Sequence, residues 1–481
     1  MQHLWGIVTV LALVAGYVSG QFGRNYGVNV RLGQSGLSYA AQKAVNDLYD
    51  KYRNEPIPDF SGSSGRTSYN VWNIKIPSLS RPTFNLRINQ GQGVSPIMNL
   101  GHITVTGNFR VSYKLGWFRI RKSGTFTATA NQISLNVGMG VGREATGRPT
   151  VSVRSCTSSI GSFRVDVRAS GIIGWIINLL EGRISRSLKD EIVPMLCEQV
   201  RKLVDRNVNP ELREMKVSTT LQDGRLQIDY SLMRAPTFGA NYIDTTVKGD
   251  VSWKGRKTNT PTGVRSWPTV PGSSSRMATI YLTDYIMNAL GVLMNNDGSL
   301  SYNVTRNEVS SRFRSQLALT CPNSACAGTL FPELADQYPD GWLEAGLRTN
   351  SPPRIVIGNN VLTGRFSGIL EVYVRRPNGQ RIRAATATAS LDIPLSLTIS
   401  NNILKASVNN PRISVTPGQA RTDGLREFLS LLSQGFSQLK LQEIGQKGFE
   451  LPTFKKVVFV NPQIYIGQGV IAISTDVNYT G

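Results

Sequence analysis

The sequence predicts an α+β protein built in two halves of similar design. Three observations carry this prediction. Long stretches alternate apolar and polar residues, as antiparallel strands with one covered face do. Apolar stripes recur at helical spacing, and the order helix, sheet, helix, strand occurs twice along the chain.

At the N-terminus, the apolar run of residues 4–18 ends in the small residues Ser19 and Gly20, the pattern of a signal peptide over residues 1–20. No Lys or Arg precedes the run, so only the amino terminus supplies its positive charge. No later run approaches the roughly 18 to 20 apolar residues needed to span a bilayer. The expectation is a secreted, extracellular protein.

Residues 36–52 place Leu37, Ala40, Ala41, Ala44, Val45 and Leu48 at helical spacing, with Ser35 or Ser38 as the cap. Residues 103–113 then alternate, with Ile103, Val105, Phe109, Val111 and Tyr113 on one parity. After a turn at Leu115 and Gly116 a second strand puts Phe118, Ile120, Phe126, Ala128 and Ala130 inward, and Trp117, Arg119 and Arg121 in a row on the polar face. A long helical stripe follows through Ile176, Leu180, Ile184, Leu188, Ile192, Leu196, Val200 and Leu203, with a kink expected at Pro194. Residues 254–276, rich in Pro, Ser and Gly, interrupt the pattern. The second half repeats the order. A short helix "LTDYIMNALGVLM" leads into strands joined by the turn "PNGQ", then a helix "GLREFLSLLSQGFSQLKLQEI" and terminal strands. The domain boundaries read as 1–20 signal peptide, 21–250 N-terminal domain, 251–276 linker and 277–481 C-terminal domain.

The formal net charge is +22, and both halves are basic. Between Asp59 and Glu144 there is no acid, while Arg66, Lys75, Arg81, Arg87, Arg110, Lys114, Arg119, Arg121, Lys122 and Arg143 are cationic. Such a field attracts nucleic acid, sulfated glycans or anionic lipid head groups, the plain alternative being a solubilising surface. The densest stretch, "YKLGWFRIRKSG", sets four cations beside Trp117 and Phe118.

Four cysteines in a secreted chain suggest two disulfides, whose pairing spacing alone leaves open. Cys321 and Cys326 are near enough to staple a loop; Cys156 and Cys197 would then close a longer one. Sequons stand at Asn303 and Asn478. The chain beyond residue 20 keeps one histidine, His102, and the cysteine spacings are wrong for zinc, so no metal site is expected. No GxSxG elbow is present, and the Gly138–Gly142 run is not followed by a helix pattern, so neither a hydrolase triad nor a dinucleotide fingerprint is supported. No catalytic residues and no enzyme are expected.

The segments "SGLSYAAQ", "SCTSSIGSFRVDV", "GIIGWIINLLEGRISRSLKDEIVPMLCEQV", "IDYSLMRAPT", "MATIYLTDYIMNALGVL" and "KGFELPTFKKVVFVNPQIYI" resemble, in order, the landmarks of the bactericidal/permeability-increasing protein and lipopolysaccharide-binding protein family. The resemblance implies an elongated boomerang of two similar barrels, each a twisted antiparallel sheet wrapped on a long helix, joined by a central sheet. It implies an apolar pocket in each barrel for phospholipid acyl chains, with Leu37, Ile173, Ile176 and Leu180 as lining candidates. It also implies a disulfide between Cys156 and Cys197; Cys321 and Cys326 have no counterpart in that pattern. Carried over to this chain, the family's lipid A phosphate site maps onto Arg110, Lys114, Trp117, Arg119, Arg121 and Lys122, with Arg66 on a second loop of the same tip. The expected function is secreted innate-immune binding of lipopolysaccharide, antibacterial against Gram-negative bacteria. The expected partners are lipopolysaccharide, phospholipids and the anionic bacterial surface, with bound phospholipid in place of a cofactor. The alternatives are a phospholipid or neutral-lipid carrier of the same fold, whose transfer would survive loss of the tip charge, and a binder of heparin-like polyanions. No specific nucleic-acid recognition is expected.

Overall fold

The computed structural model describes residues 27–52, 59–64, 66–169, 194–221, 224–258, 267–270, 275–307, 309, 314–321, 326–417, 424–425, 427–428, 449–450 and 457–479. The predicted leader, Ile173, Ile176, Leu180, the first part of the long helical stripe and most of the helix predicted after residue 423 lie outside the described residues. Among the described residues, no helix is long and apolar enough to cross a membrane.

A central six-stranded sheet joins the two halves. Val28–Gly33 pairs antiparallel with Tyr242–Val247 on one side and with Ala278–Thr283 on the other. Ala278–Thr283 then pairs with Val470–Tyr479, and Thr237–Phe238 and Val457–Gly467 form the edges. Strands from the start and end of both predicted barrels therefore share one ladder, so neither half keeps all its strands to itself. At the seam a buried polar group sits among apolar neighbours. Arg31 forks Asp244 with two hydrogen bonds of 2.7 Å, Asn29 donates to Asp244 at 3.1 Å, and the Arg31 guanidinium lies 4.0 Å from the Tyr242 ring centroid. Each charge is compensated, which is the condition for holding a buried ion pair.

The first barrel's sheet runs Phe60–Ser64, Thr67–Leu79, Gly93–Leu115, Phe118–Arg143, Pro149–Ala169, all antiparallel, with Thr83–Asn89 added beside Gly93–Leu115. The helix Gln34–Tyr52 covers its base. Its cap differs from expectation: the helix starts at Gln34, ahead of both candidate serines. The Gln34 side chain accepts from Ile88 N–H at 3.2 Å and donates to the Leu86 carbonyl, pinning the helix start to a strand. Leu37 packs below with Leu86, Val94, Val141, Val151 and Ile243. Cys156–Cys197 ties the strand Pro149–Ala169 to the helix at 194–203.

The second barrel's sheet runs Ser301–Val304, Trp342–Thr349, Val361–Arg375, Arg381–Ser400, Ile403–Val408, Phe449–Glu450, around a core that includes Leu343, Leu370, Val372, Val374 and Phe428. The predicted "PNGQ" turn is a three-residue hairpin loop in which Gly379 takes φ 86°, and Cys321 and Cys326 are bonded. Of the predicted linker, Asp250–Trp253 and Arg256–Lys257 are strands of a small four-stranded sheet. The apolar helix Tyr285–Asn296 joins them in one core, where Tyr285, Ala289 and Leu293 meet Val251 and Trp253.

Candidate functional site

The hairpin of Gly93–Leu115 and Phe118–Arg143 reaches beyond the barrel body. Its turn is Gly116 and Trp117, one residue later than the sequence suggests, with Gly116 at φ 58° and Leu115 facing Phe118. Glycine in the first central position is what a tight two-residue hairpin asks for. Trp117 is therefore at the apex, 87% exposed, and its ring lies 3.7 Å from that of Phe118. Phe118 and Ile120, expected to face inward, are 55% and 42% exposed. Their parity is the inward one, but at this height they overhang the body and lie open.

Register fixes what shares each face. Lys114 faces Arg119, Ser112 faces Arg121, and Arg110 faces Ser123. On the neighbouring strand Asn70 faces Arg110, and the Lys114 N–H donates to the Arg66 carbonyl at 2.9 Å. Arg66, Lys114 and Arg119 thus form a row across the tip, with Arg121 and Arg110 below. Lys122 pairs with Val111 and belongs to the opposite face, with Phe118 and Ile120. The tip is two-sided: Arg66, Arg110, Lys114, Arg119 and Arg121 share one face, and Phe118, Ile120 and Lys122 share the other.

Lys114 opposite Arg119 is a like-charge pair, which destabilises a sheet. Among the described residues no carboxylate lies within salt-bridge distance of Arg66, Arg110, Lys114, Arg119 or Arg121. The Arg110 guanidinium instead lies 5.8 Å from the ring centroid of Trp72, a residue the sequence reading passed over although it shares parity with Asn70. The arginine-rich hairpin of the second barrel is different. There Arg375 and Arg381 lie 3.1 and 3.5 Å from the buried Glu344, and Arg383 lies 3.6 Å from Glu371. Among the described residues, Arg375, Arg381 and Arg383 are thus compensated by carboxylates, and the five cations of the first tip are not.

Below the tip, Ile103, Val105, Phe109, Phe126 and Phe163 share the inward face and are half-buried rather than sealed into a core. Gly107 leaves room for the Phe126 ring to cross its strand: a Cβ there would meet that ring at 2.7 Å. Leu37, at the other end, is fully packed. Asn303 and Asn478 are both exposed, Asn478 accepting a 3.1 Å hydrogen bond from the Tyr39 hydroxyl.

The first barrel thus combines a curled sheet whose upper inner face is apolar and half-buried with a cationic, aromatic tip. The chain belongs to the LBP / BPI / CETP family: its N-terminal domain matches residues 36–209 and its C-terminal domain residues 219–479. Members of this family are lipid-binding proteins rather than enzymes. The chain is 24% identical to a bactericidal permeability-increasing protein of Sebastes schlegelii, over 95% of this chain and 96% of that one. It is 24% identical to the lipopolysaccharide-binding protein of Homo sapiens, over 98% of this chain and 97% of that one. The crystal structure of a lipopolysaccharide binding protein superposes with a TM-score of 0.61 at 24% identity, covering 95% of this chain and 100% of that one. The fold is therefore the two-barrel boomerang.

Proposed function

We propose that this protein is secreted and captures lipopolysaccharide at anionic bacterial surfaces, as an antibacterial component of innate immunity. The supporting observation is the hairpin tip, where five uncompensated cations share one face, Trp117 stands exposed at the apex, and Phe118 and Ile120 stand exposed on the other face. Arginine forks suit the phosphates of a lipid head group, and amphipathic aromatics settle at the boundary between head groups and acyl chains. The half-buried phenylalanine face below the tip suits acyl chains, so a bound phospholipid belongs to the same reading.

The test is binding of the purified protein to phosphatidylcholine vesicles with and without lipopolysaccharide at physiological salt. A clear preference for lipopolysaccharide is expected. Equal binding to both vesicles would leave lipid carriage by the inner face as the account, and equally tight binding to heparin would make the tip a general polyanion site.

A further inference from the structure

The outer face of the first barrel's sheet continues below the tip as a field of hydroxyl and amide groups. Asn108 faces Thr125, Thr106 faces Thr127 and Thr104 faces Thr129. Trp72 flanks Asn108 on one side, and Arg168 and Arg164 flank Thr125 and Thr129 on the other. Among the described residues, no side-chain hydrogen bond engages these five threonines, and the buried hydroxyl of Ser112 among the tip cations has no partner. A face kept soluble by charge mixes both signs. Here the strands Thr67–Leu79, Gly93–Leu115 and Phe118–Arg143 carry no acid, and the one on the next strand, Asp166, is bound by Arg164 at 2.7 Å. At the far end the surface dips into a shallow groove of about 440 Å³ lined by Ser80, Arg81, Thr83, Asn99, Gln132 and Ser134.

We propose that this outer face binds the phosphorylated sugar headgroup of the glycolipid whose lipid end the tip engages, the saccharide running from Arg119 toward the groove. The proposal rests on the tip reading above. Threonine hydroxyls donate and accept, as sugar hydroxyls require, and the flat Trp72 ring offers a surface for the C–H face of a sugar. The cations sit where phosphates on the innermost sugars would lie. From Lys114 to Thr104 the strand spans roughly 33 Å, room for several sugar rings.

The test uses the full chain with three probes: vesicles carrying lipid A alone, vesicles carrying complete lipopolysaccharide, and the deacylated, phosphorylated oligosaccharide in solution. The variant Thr106→Val/Thr127→Val keeps β-branched shape while removing two hydroxyls; Thr125→Glu sets an acid on the same face at an exposed site. Wild type is expected to bind complete lipopolysaccharide more tightly than lipid A and to bind the oligosaccharide saturably. Both variants are expected to lose roughly three- to tenfold on the two sugar probes and to keep wild-type affinity for lipid A. Unchanged binding of complete lipopolysaccharide by both variants, or no saturable oligosaccharide binding by wild type, overturns the sugar face. Failure of wild type to bind lipid A vesicles overturns the tip reading instead.

Discussion

Replacing Lys114, Arg119 and Arg121 together by serine should weaken binding while leaving the fold at least as stable as before. A cation at an anionic lipid surface contributes about 1 kcal/mol, so three of them amount to about 3 kcal/mol, on the order of a hundredfold in affinity. The same substitutions end the opposition of Lys114 and Arg119, which relieves roughly 0.2 to 1 kcal/mol of cross-strand repulsion. Since none of the three is neutralised by a carboxylate among the described residues, no ion pair is lost to offset that relief. The assay pairs vesicle binding over a salt series with chemical denaturation. Binding should fall and flatten with salt, while the denaturation midpoint holds or rises.

The single variants separate geometry from net charge. Arg119→Ser and Lys122→Ser each remove one cation three residues apart, but register places only Arg119 in the row with Lys114 and Arg66. Arg119→Ser should therefore cost clearly more than Lys122→Ser, whose side chain belongs to the other face. Equal losses would refute the two-faced tip and reduce the site to diffuse attraction.

Two further outcomes follow from buried groups. Tyr281 is fully buried without a hydrogen-bond partner for its hydroxyl, and burial pushes its phenol up to about 12. The folded state thus holds the proton more tightly than the unfolded state. Stability from this group is full below about pH 10 and is lost between about pH 10 and 12, on the order of 2 to 3 kcal/mol. Tyr281→Phe should be neutral or stabilising at pH 7, and its margin over wild type should widen in denaturant melts above pH 10; a constant margin would sink the assignment. Opening Cys156–Cys197, which spans 41 residues, should cost about 4 kcal/mol by chain entropy, read as a lowered urea midpoint in Cys156→Ser/Cys197→Ser.

What was legible in the sequence was legible for a physical reason. Alternation over residues 103–113 announces a strand because one face must be covered, and the charge run announces a site because nothing nearby compensates it. The order of elements hid the central sheet, since its strands come from four places in the chain and four of the six are six residues or shorter. Lys122 looked equivalent to Arg121 because the family resemblance maps a run of cations, although the same strand parity that lines up Arg119 and Arg121 sends Lys122 to the other side. Phe118 and Ile120 looked buried because alternation reports parity and not whether a partner stands opposite.

The deepest gap is a change of phase within the sheet. In Gly93–Leu115 the inward residues are Val94, Met98 and Leu100, then Ile103, Val105 and Phe109, a slip from even to odd. The partner strand slips at the same level, from Leu135 and Ile133 to Ala130 and Ala128. The pivot is Gln132, whose φ of 55° is rare for a residue with a side chain. Across from it Gly161 makes room, because a Cβ there would sit 2.5 Å from the Gln132 amide oxygen. No composition signal marks a glutamine that takes this conformation. The trace it leaves is two apolar phases separated by Gly101 and His102. It divides the packed base, where Leu37 lies, from the upper sheet, whose phenylalanines remain half-buried and whose outer face is polar. Because the apolar phase of the sequence and the pleat change together at this level, the apolar residues stay on one inner face from the packed base to the half-buried upper sheet, where a strand of unbroken pleat would have turned one of the two sets outward.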